Sequence, residues 1–286
     1  MTIAQGKAPV TTDLTESATP APESLRPWFT ELGLIPTVRD TSVPFAHVPQ
    51  AATMIVLRTE DCGPRDALVL GPRTRASYAE ADKPMGCLRL RLAPGAVGPL
   101  LGVSAGELTD RIVRLADLPG PAAQFAGELV ELRRDELFPY LEQRLPQRIR
   151  ESPAQVSHRE LLRTAVESVS GRAMPATVPA LAGTLAVSER QLRNLFSSGI
   201  GVSPKHYTRI DRIRRVLTRL GTSPWSHLAV GAGYYDQSHL TAEFRSLMGV
   251  APGSFLGGTR LPIEPCRPAI YGRTISGTGI LRSAPL

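Results

Sequence analysis

The chain has 286 residues and a formal net charge of +7, and this length is sufficient for two domains that each bury a core. Residues 1–149 hold 16 Lys and Arg against 18 Asp and Glu, whereas residues 150–286 hold 17 against 8. The basic second half favours a polyanion as its partner, and the first half does not. No apolar run approaches the roughly 18 residues that a membrane span needs, and no basic-then-apolar signal peptide opens the chain. We therefore expect a cytoplasmic protein without a membrane partner.

Cysteine and histidine are scarce. Cys62, Cys87 and Cys266 are odd in number and far apart, so neither a disulfide framework nor a structural zinc site is expected. One histidine, His47, precedes residue 150, whereas a catalytic iron site needs two or three beside a carboxylate. We expect no enzyme activity, no cofactor and no metal site. Cys62 or Cys87 could act as a reactive sensor thiol. We favour the alternative, in which each is a small buried side chain.

The first half alternates between short strands and helices. Residues 1–22 are rich in Thr, Ala and Pro without periodicity, which predicts a disordered leader. TMIVLR at 53–58, ALVLG at 67–71 and GCLRLRL at 86–92 predict strands. In the third segment leucines alternate with Arg89 and Arg91, a period of two that is typical of a half-buried strand. Apolar residues from Phe125 to Leu141 then follow helical spacing and predict one amphipathic helix. We expect an α+β domain over 23–145.

A linker and a first helix-turn-helix unit follow. Prolines and a Ser-Gly pair flank a helix near 159–169, so we predict a linker over 146–174 that contains a helix. From Val178 to Leu185 the apolar residues share one helix face, and Ser188 is placed to cap a second helix. The polar face of that helix supplies candidate DNA contacts: Arg190, Gln191, Arg193 and Asn194. Arginine can read guanine and asparagine can read adenine. The alternative is that this polar face of the helix is only solvated.

Residues 204–220 read as one continuous connecting helix with an apolar stripe beside an arginine stripe. We predict phosphate contacts for Arg212 and Arg215 in that stripe, against the alternative of solvated side chains. At 1.5 Å per residue the helix is about 25 Å long. That length is compatible with two recognition helices in successive major grooves, which lie about 34 Å apart.

A second helix-turn-helix unit occupies residues 225–255. Gly231 and Gly233 supply a turn, Asp236 is placed as an N-cap, and Gly249 closes the following helix. That helix buries one apolar face, and its other side supplies further candidate DNA contacts: Gln237, Ser238, His239 and Thr241. For His239, a packed or phosphate-contacting ring is an equal alternative to a base contact.

These residues resemble the signature of the AraC/XylS family of bacterial transcription regulators. Identical positions are Ala229, Gly233, Asp236, Gln237, Ser238, His239, Phe244, Gly249 and Pro252, and conservative replacements are Leu228, Tyr234, Leu240, Arg245 and Phe255. The family often has arginine in the middle of the helix, where this chain has Ala242, so a base or phosphate contact is not expected there. The resemblance implies an all-α DNA-binding domain over 175–256 with two helix-turn-helix units. Residues 257–286 are expected to form an irregular tail.

Residues 70–78 and 92–120 resemble the N-terminal sensor-like domain of one branch of the same family. That resemblance implies a multidomain protein whose α+β first domain, commonly a cupin-like β-barrel, senses a ligand or dimerises. We predict a sequence-specific regulator that binds double-stranded DNA, with RNA polymerase, a small-molecule effector and a second copy of the chain as further candidate partners. The alternatives are a non-sensing architectural DNA binder and a helical protein-interaction module. A fragment that begins near Gln155 is expected to fold by itself.

Overall fold

The computed structural model describes residues 8–9, 11, 18–35, 44–58, 66–79, 87–133, 135–170 and 177–264. In this part of the chain the strands are β1 (Ala18–Pro20), β2 (Phe29–Ile35), β3 (Phe45–His47), β4 (Met54–Arg58), β5 (Ala67–Leu70), β6 (Ser77–Ala79), β7 (Cys87–Leu92), β8 (Ile112–Arg114) and β9 (Ile263–Glu264). An antiparallel six-stranded sheet has the order β1-β2-β7-β4-β5-β8, and a smaller sheet has the order β3-β6-β9.

The three predicted strands are confirmed as β4, β5 and β7. Strand β7 lies in the middle of the large sheet, where Leu90 pairs with Leu32 of β2 and with Ile55 of β4. Leu90 and Ile55 are fully buried in the largest apolar core of the described residues. An apolar face on alternate residues of neighbouring strands thus builds the core of the first half, and the predicted α+β class is confirmed.

The second face of this sheet is not solvated, which differs from the half-buried strand that the alternation predicted. Arg89 is only 2% exposed, and its Nη2 donates to Glu31 Oε1 at 3.1 Å. Arg91 donates to the same carboxylate oxygen at 3.2 Å. On β4, Met54 and Val56 are buried beside these arginines. Both sheet faces are therefore covered, and Glu31 compensates the buried arginine charge.

The helices of the first half are α1 (Val97–Leu101), α2 (Ala105–Leu108), α3 (Pro121–Glu131) and α4 (Leu137–Arg148). The single amphipathic helix predicted from Phe125 to Leu141 is therefore wrong, because two helices share that stretch. Leu132 takes an extended backbone conformation, and the Glu136 carboxylate accepts a hydrogen bond from the Arg133 N–H at 2.9 Å. Phe125 and Leu141 still point into one core. The periodicity identified the buried residues but not the break between the helices.

The helices of the second half are α5 (Pro153–Ser170), α6 (Val178–Thr184), α7 (Glu189–Gly199), α8 (Pro204–Thr218), α9 (Trp225–Gly231), α10 (Gln237–Met248) and α11 (Pro252–Leu256). Helix α5 lies in the segment that was predicted as a linker, yet it packs into a core. Its Leu162, Ala165 and Val169 are buried with Leu192 and Phe196 of α7. The first helix-turn-helix unit therefore has a third helix in its core, and we propose to count α5 with that unit.

The second unit shares its core with the first half of the chain. Ala46, Val48 and Tyr78 are buried among the apolar residues of α8 to α11. The Tyr78 hydroxyl donates to the Met248 carbonyl at 2.7 Å, and the Ala76 N–H donates to the Leu247 carbonyl at 2.8 Å. Residues after α11 were expected to be irregular, but β9 pairs in parallel with β6. The chain thus returns to the first half after the second unit.

Other sequence expectations fall partly or wholly outside the described residues. Most of the predicted leader 1–22 lies there, although Ala18–Pro20 forms the edge strand β1 and pairs with β2. Cys62 and Cys266 also lie outside the described residues. No helix of the described part of the chain is both long enough and apolar enough to cross a membrane.

Candidate nucleic-acid interface

The first helix-turn-helix unit consists of α6 and α7, joined by a tight turn. Ala186 in this turn has a φ of +53°, and Ser188 caps α7 by accepting a hydrogen bond from the Gln191 N–H at 3.1 Å. Leu192 and Phe196 are fully buried. The cap and the buried pair fix both where α7 begins and which face it turns outward.

The second unit consists of α9 and α10, and of the two glycines predicted to supply its turn, Gly233 lies in the turn whereas Gly231 ends α9. Gly233 has a φ of +76°, a conformation that favours glycine, and Gly249 closes α10 with a φ of +71°. The Asp236 carboxylate accepts from the His239 N–H at 2.7 Å, so its role as an N-cap is confirmed. Trp225 packs edge-on against Phe244 with ring centroids 5.6 Å apart and holds α9 on α10.

The four candidate contacts on α7 are all exposed: Arg190, Gln191, Arg193 and Asn194. They are not equivalent, because Arg193 forms an ion pair with Glu189 one turn earlier. Arg190, Gln191 and Asn194 line an open groove of about 390 Å³ together with His158 of α5. The candidate contacts of α7 other than the ion-paired Arg193 therefore lie along one groove.

On α10 the structure separates the four candidates. Gln237, Ser238 and His239 are exposed at the start of the helix. Thr241 is half-buried, accepts a hydrogen bond from Trp225 Nε1 at 3.1 Å and donates to the Gln237 carbonyl at 2.8 Å. The Thr241 hydroxyl therefore joins α9 to α10, and a DNA contact from this residue stays a prediction.

The two arginines of the connector α8 that were predicted to contact phosphate both have partners within the protein. Arg215 forms an ion pair with Asp211 at 2.7 Å, and the Arg212 guanidinium lies 5.9 Å from the centroid of the Tyr234 ring. Both arginines are half-buried. Burial raises the pKa of Asp211, and the positive charge of Arg215 partly offsets that rise. Arg212 and Arg215 therefore have structural partners in addition to any phosphate that they contact.

Residues 181–257 match the family model described as "Helix-turn-helix domain", which covers the end of α6 through α11. This region is an AraC-type helix-turn-helix domain. The family resemblance predicted for the second half is confirmed, and with it the general function of DNA binding in transcription regulation.

The chain is also similar to solved structures of ToxT from Vibrio cholerae. One ToxT structure has 12% identity and a TM-score of 0.38, with 75% of this chain and 94% of that chain covered. A second, ToxT with an unsaturated fatty acid bound, has 14% identity and a TM-score of 0.35, with 74% and 85% covered. Among curated proteins, none matches the sequence significantly.

The AraC-type domain exposes one further side chain that the sequence did not single out, Tyr235, and one from which no base or phosphate contact was expected, Ala242. Tyr235, which directly precedes the N-cap Asp236, is 92% exposed. Ala242 is exposed in the middle of α10. The sequence feature that could have identified Tyr235 is the position of an aromatic residue in the turn of a helix-turn-helix unit. Across the described ranges no three His, Cys, Asp or Glu side chains form a group that could hold a metal ion.

Proposed function

We propose that this protein is a sequence-specific transcription regulator that places α7 and α10 in successive major grooves of double-stranded DNA. The observation that carries the proposal is that both helices are fixed by an N-cap and a buried face while their other polar side chains remain in solvent. The 15 residues of α8 span about 22 Å between the units. The excess positive charge of residues 150–286 favours a polyanion.

Within this proposal the helices differ in how they contact DNA. Arg190 and Asn194 are the principal base readers of the first unit, and Gln191 assists them, because these side chains share the open groove. Arg193 has a carboxylate partner and contacts phosphate. Gln237, Ser238 and His239 face DNA from the second unit, and Arg212 and Arg215 add phosphate contacts.

We also propose that the first half, residues 23–145, regulates the DNA-binding domain through a ligand or through dimerisation. The support is direct hydrogen bonding between the halves. The Gly95 N–H donates to the Gly199 carbonyl at the end of α7 at 3.1 Å, and Thr109 Oγ1 donates to the Gly201 carbonyl at 2.7 Å. These bonds join the first half to the end of the recognition helix α7, and we propose that regulation acts through this contact.

Selection of bound duplexes from a random pool, followed by fluorescence anisotropy, tests the DNA proposal. We expect one enriched sequence and an affinity that falls steeply as salt rises from about 50 to about 200 mM. An architectural binder would enrich no sequence while keeping the salt dependence. A protein-interaction module would bind no duplex even at low salt, and that result would reject the proposal.

Genome-wide recovery of bound DNA, with and without a panel of metabolites, tests the regulatory proposal. A ligand-controlled protein changes its occupied sites when the correct metabolite is added. Sedimentation equilibrium tests dimerisation, and transcription from an enriched promoter tests whether RNA polymerase responds. If the occupied DNA sites do not change with any metabolite and the protein sediments as a monomer, the first half has neither of the two proposed regulatory roles.

A further inference from the structure

The outward face of α10 is centred on a methyl group. Leu240, Phe244 and Leu247 are buried and define the inner face of the helix. At 3.6 residues per turn, the position opposite this face belongs to Ala242, which is exposed. The side chain in the middle of the second recognition helix thus has no hydrogen-bonding group.

The neighbouring polar residue does not replace the missing donor. The Thr241 hydroxyl donates to the Gln237 carbonyl and accepts from Trp225 Nε1. A hydroxyl has a single proton, so none is left for a base edge while these contacts persist. In the first half of α10, side chains that can donate a hydrogen bond to a base edge are therefore those of its first turn, while the exposed Arg245 lies in the last turn.

Tyr235 adds a large apolar surface at that end of the helix. It is 92% exposed, whereas the adjacent Tyr234 is 4% exposed and packs its ring against His239 with centroids 5.3 Å apart. The cap formed by Asp236 fixes the backbone directly after Tyr235. An aromatic ring in solvent thus directly precedes the turn that presents Gln237 and Ser238, and an exposed methyl group follows in the middle of the helix.

We propose that the second unit selects thymine through contacts of Ala242 and the Tyr235 ring with C5-methyl groups in the major groove. The proposal rests on the DNA-binding function given above. Thymine presents a methyl group in that groove, and apolar side chains recognise it by contact. The first unit reads its bases by hydrogen bonds from Arg190 and Asn194, so the two half-sites are read by different chemistry.

Replacement of thymine by uracil in the selected duplex tests this directly, because it removes only the methyl group and leaves the protein unchanged. We expect the second half-site to be thymine-rich and each contacted position to lose about fourfold in affinity with uracil, the value of roughly one buried methylene. Uracil in the first half-site serves as the control and should have no comparable effect. Specific binding without any uracil penalty in the second half-site would overturn the proposal.

A thermodynamic cycle then assigns the contact. Tyr235→Ala should weaken binding to the thymine duplex, and at one position the replacement of thymine by uracil should no longer lower its affinity. Tyr235→Phe should still lose affinity when uracil replaces thymine at that position. Leu256→Ala, an exposed apolar side chain on α11, is the matched control and should still lose affinity with uracil as well. If uracil still lowers the affinity of Tyr235→Ala at every position where it lowers that of the wild type, Tyr235 makes no contact with a thymine methyl group. Failure of the wild-type protein to prefer any sequence would instead reject the proposed function.

Discussion

Arginines that look alike in the sequence differ in what surrounds them. On α7, Arg190 lines the groove while Arg193 is paired with Glu189. On α8, Arg209 donates to Glu243 at 3.1 Å and to Ser246 at 3.0 Å, so it links the connector to α10. The hydrogen-bond and ion-pair partners of these arginines, rather than their charge, decide which of them can contact a base.

Arg190→Ala should lose about 1–3 kcal/mol of binding free energy on the selected duplex and less on a scrambled one, because a guanine contact exists only in the selected site. Arg193→Ala should lose less. Arg163→Ala is the matched control, since Arg163 is an exposed arginine of α5 that is paired with Glu167 in the same spacing. Fluorescence anisotropy measures all three variants. Equal losses for Arg190→Ala on both duplexes would reduce that residue to a phosphate contact.

Thr241→Val should lower the free energy of unfolding by about 1–3 kcal/mol, because it leaves the half-buried Trp225 N–H without its acceptor. The selected DNA sequence should stay the same. Urea denaturation and repeated duplex selection measure the two effects, and Thr241→Ser, which keeps the hydroxyl, is the control. A changed sequence preference at unchanged stability would restore Thr241 to the DNA-contacting residues.

At the scale of elements, the segment from α7 to α8 is shaped by its contact with the first half. Gly199 faces α5, where an added Cβ would lie 2.4 Å from a Leu162 methyl carbon. Gly201 has a φ of +91°, and an added Cβ would lie 2.7 Å from the Ala105 carbonyl oxygen. These two positions let the end of the recognition helix approach α2 and α5 closely.

Gly201→Ala should therefore cost about 1–3 kcal/mol in the free energy of unfolding, since the residue would be strained and crowded at once. Hydrogen exchange at residues 105–109 should become faster, because the carbonyl that Thr109 contacts would shift. Gly183→Ala is the control, as an added Cβ meets nothing within 4 Å in α6 and should stabilise the helix by up to about 1 kcal/mol. Equal stability of the two variants would show that the junction is not tight.

At the scale of the whole molecule, the halves share buried groups. The half-buried ring of His206 on α8 lies near the Thr74 backbone, Asp110, Arg209 and Glu243. Burial lowers the pKa of His206 below its ordinary 6.5, and Arg209 lowers it further, while the Thr74 contact and the two carboxylates act in the opposite direction. The neutral ring is thus the form that the assembled structure favours.

Acid should therefore weaken the folded protein in a way that depends on His206. As pH falls through the ordinary histidine pKa of 6.5, the unfolded chain takes up a proton before the folded one does, so stability is lost until the lower folded pKa is reached. Urea midpoints at about pH 7.5 and about pH 5.5 should differ less in His206→Gln than in the wild type. His227→Gln, an exposed histidine of α9, is the control. An unchanged pH dependence in His206→Gln would contradict this prediction.

A fragment of residues 153–286 should keep the first unit folded but destabilise the second. The sequence predicted that a fragment from near Gln155 folds by itself, and the first unit does hold its buried core within α5 to α8. The second unit loses Ala46, Val48 and Tyr78 from its core. Hydrogen exchange should show protected amides in α7 and fast exchange in α10. Native-like protection of α10 in the fragment would show that the first half is dispensable for it.

Local features of this protein were determined by the sequence alone. The caps Ser188 and Asp236, the glycine turns and the buried faces of α7 and α10 all depend on residues within a turn or two of one another, so their spacing was sufficient to predict them. The same is true of the three central strands, whose apolar runs are local as well.

Only the tertiary structure decided which polar side chains are free to act. Burial of Arg89, the engagement of Thr241 by Trp225 and the role of α5 in the first core all depend on other elements of the fold. Tyr78 meets the Met248 carbonyl across 170 residues of chain, and β9 pairs with β6 over a similar span. No periodicity encodes such contacts, because they follow from how whole faces pack together after the local elements have formed.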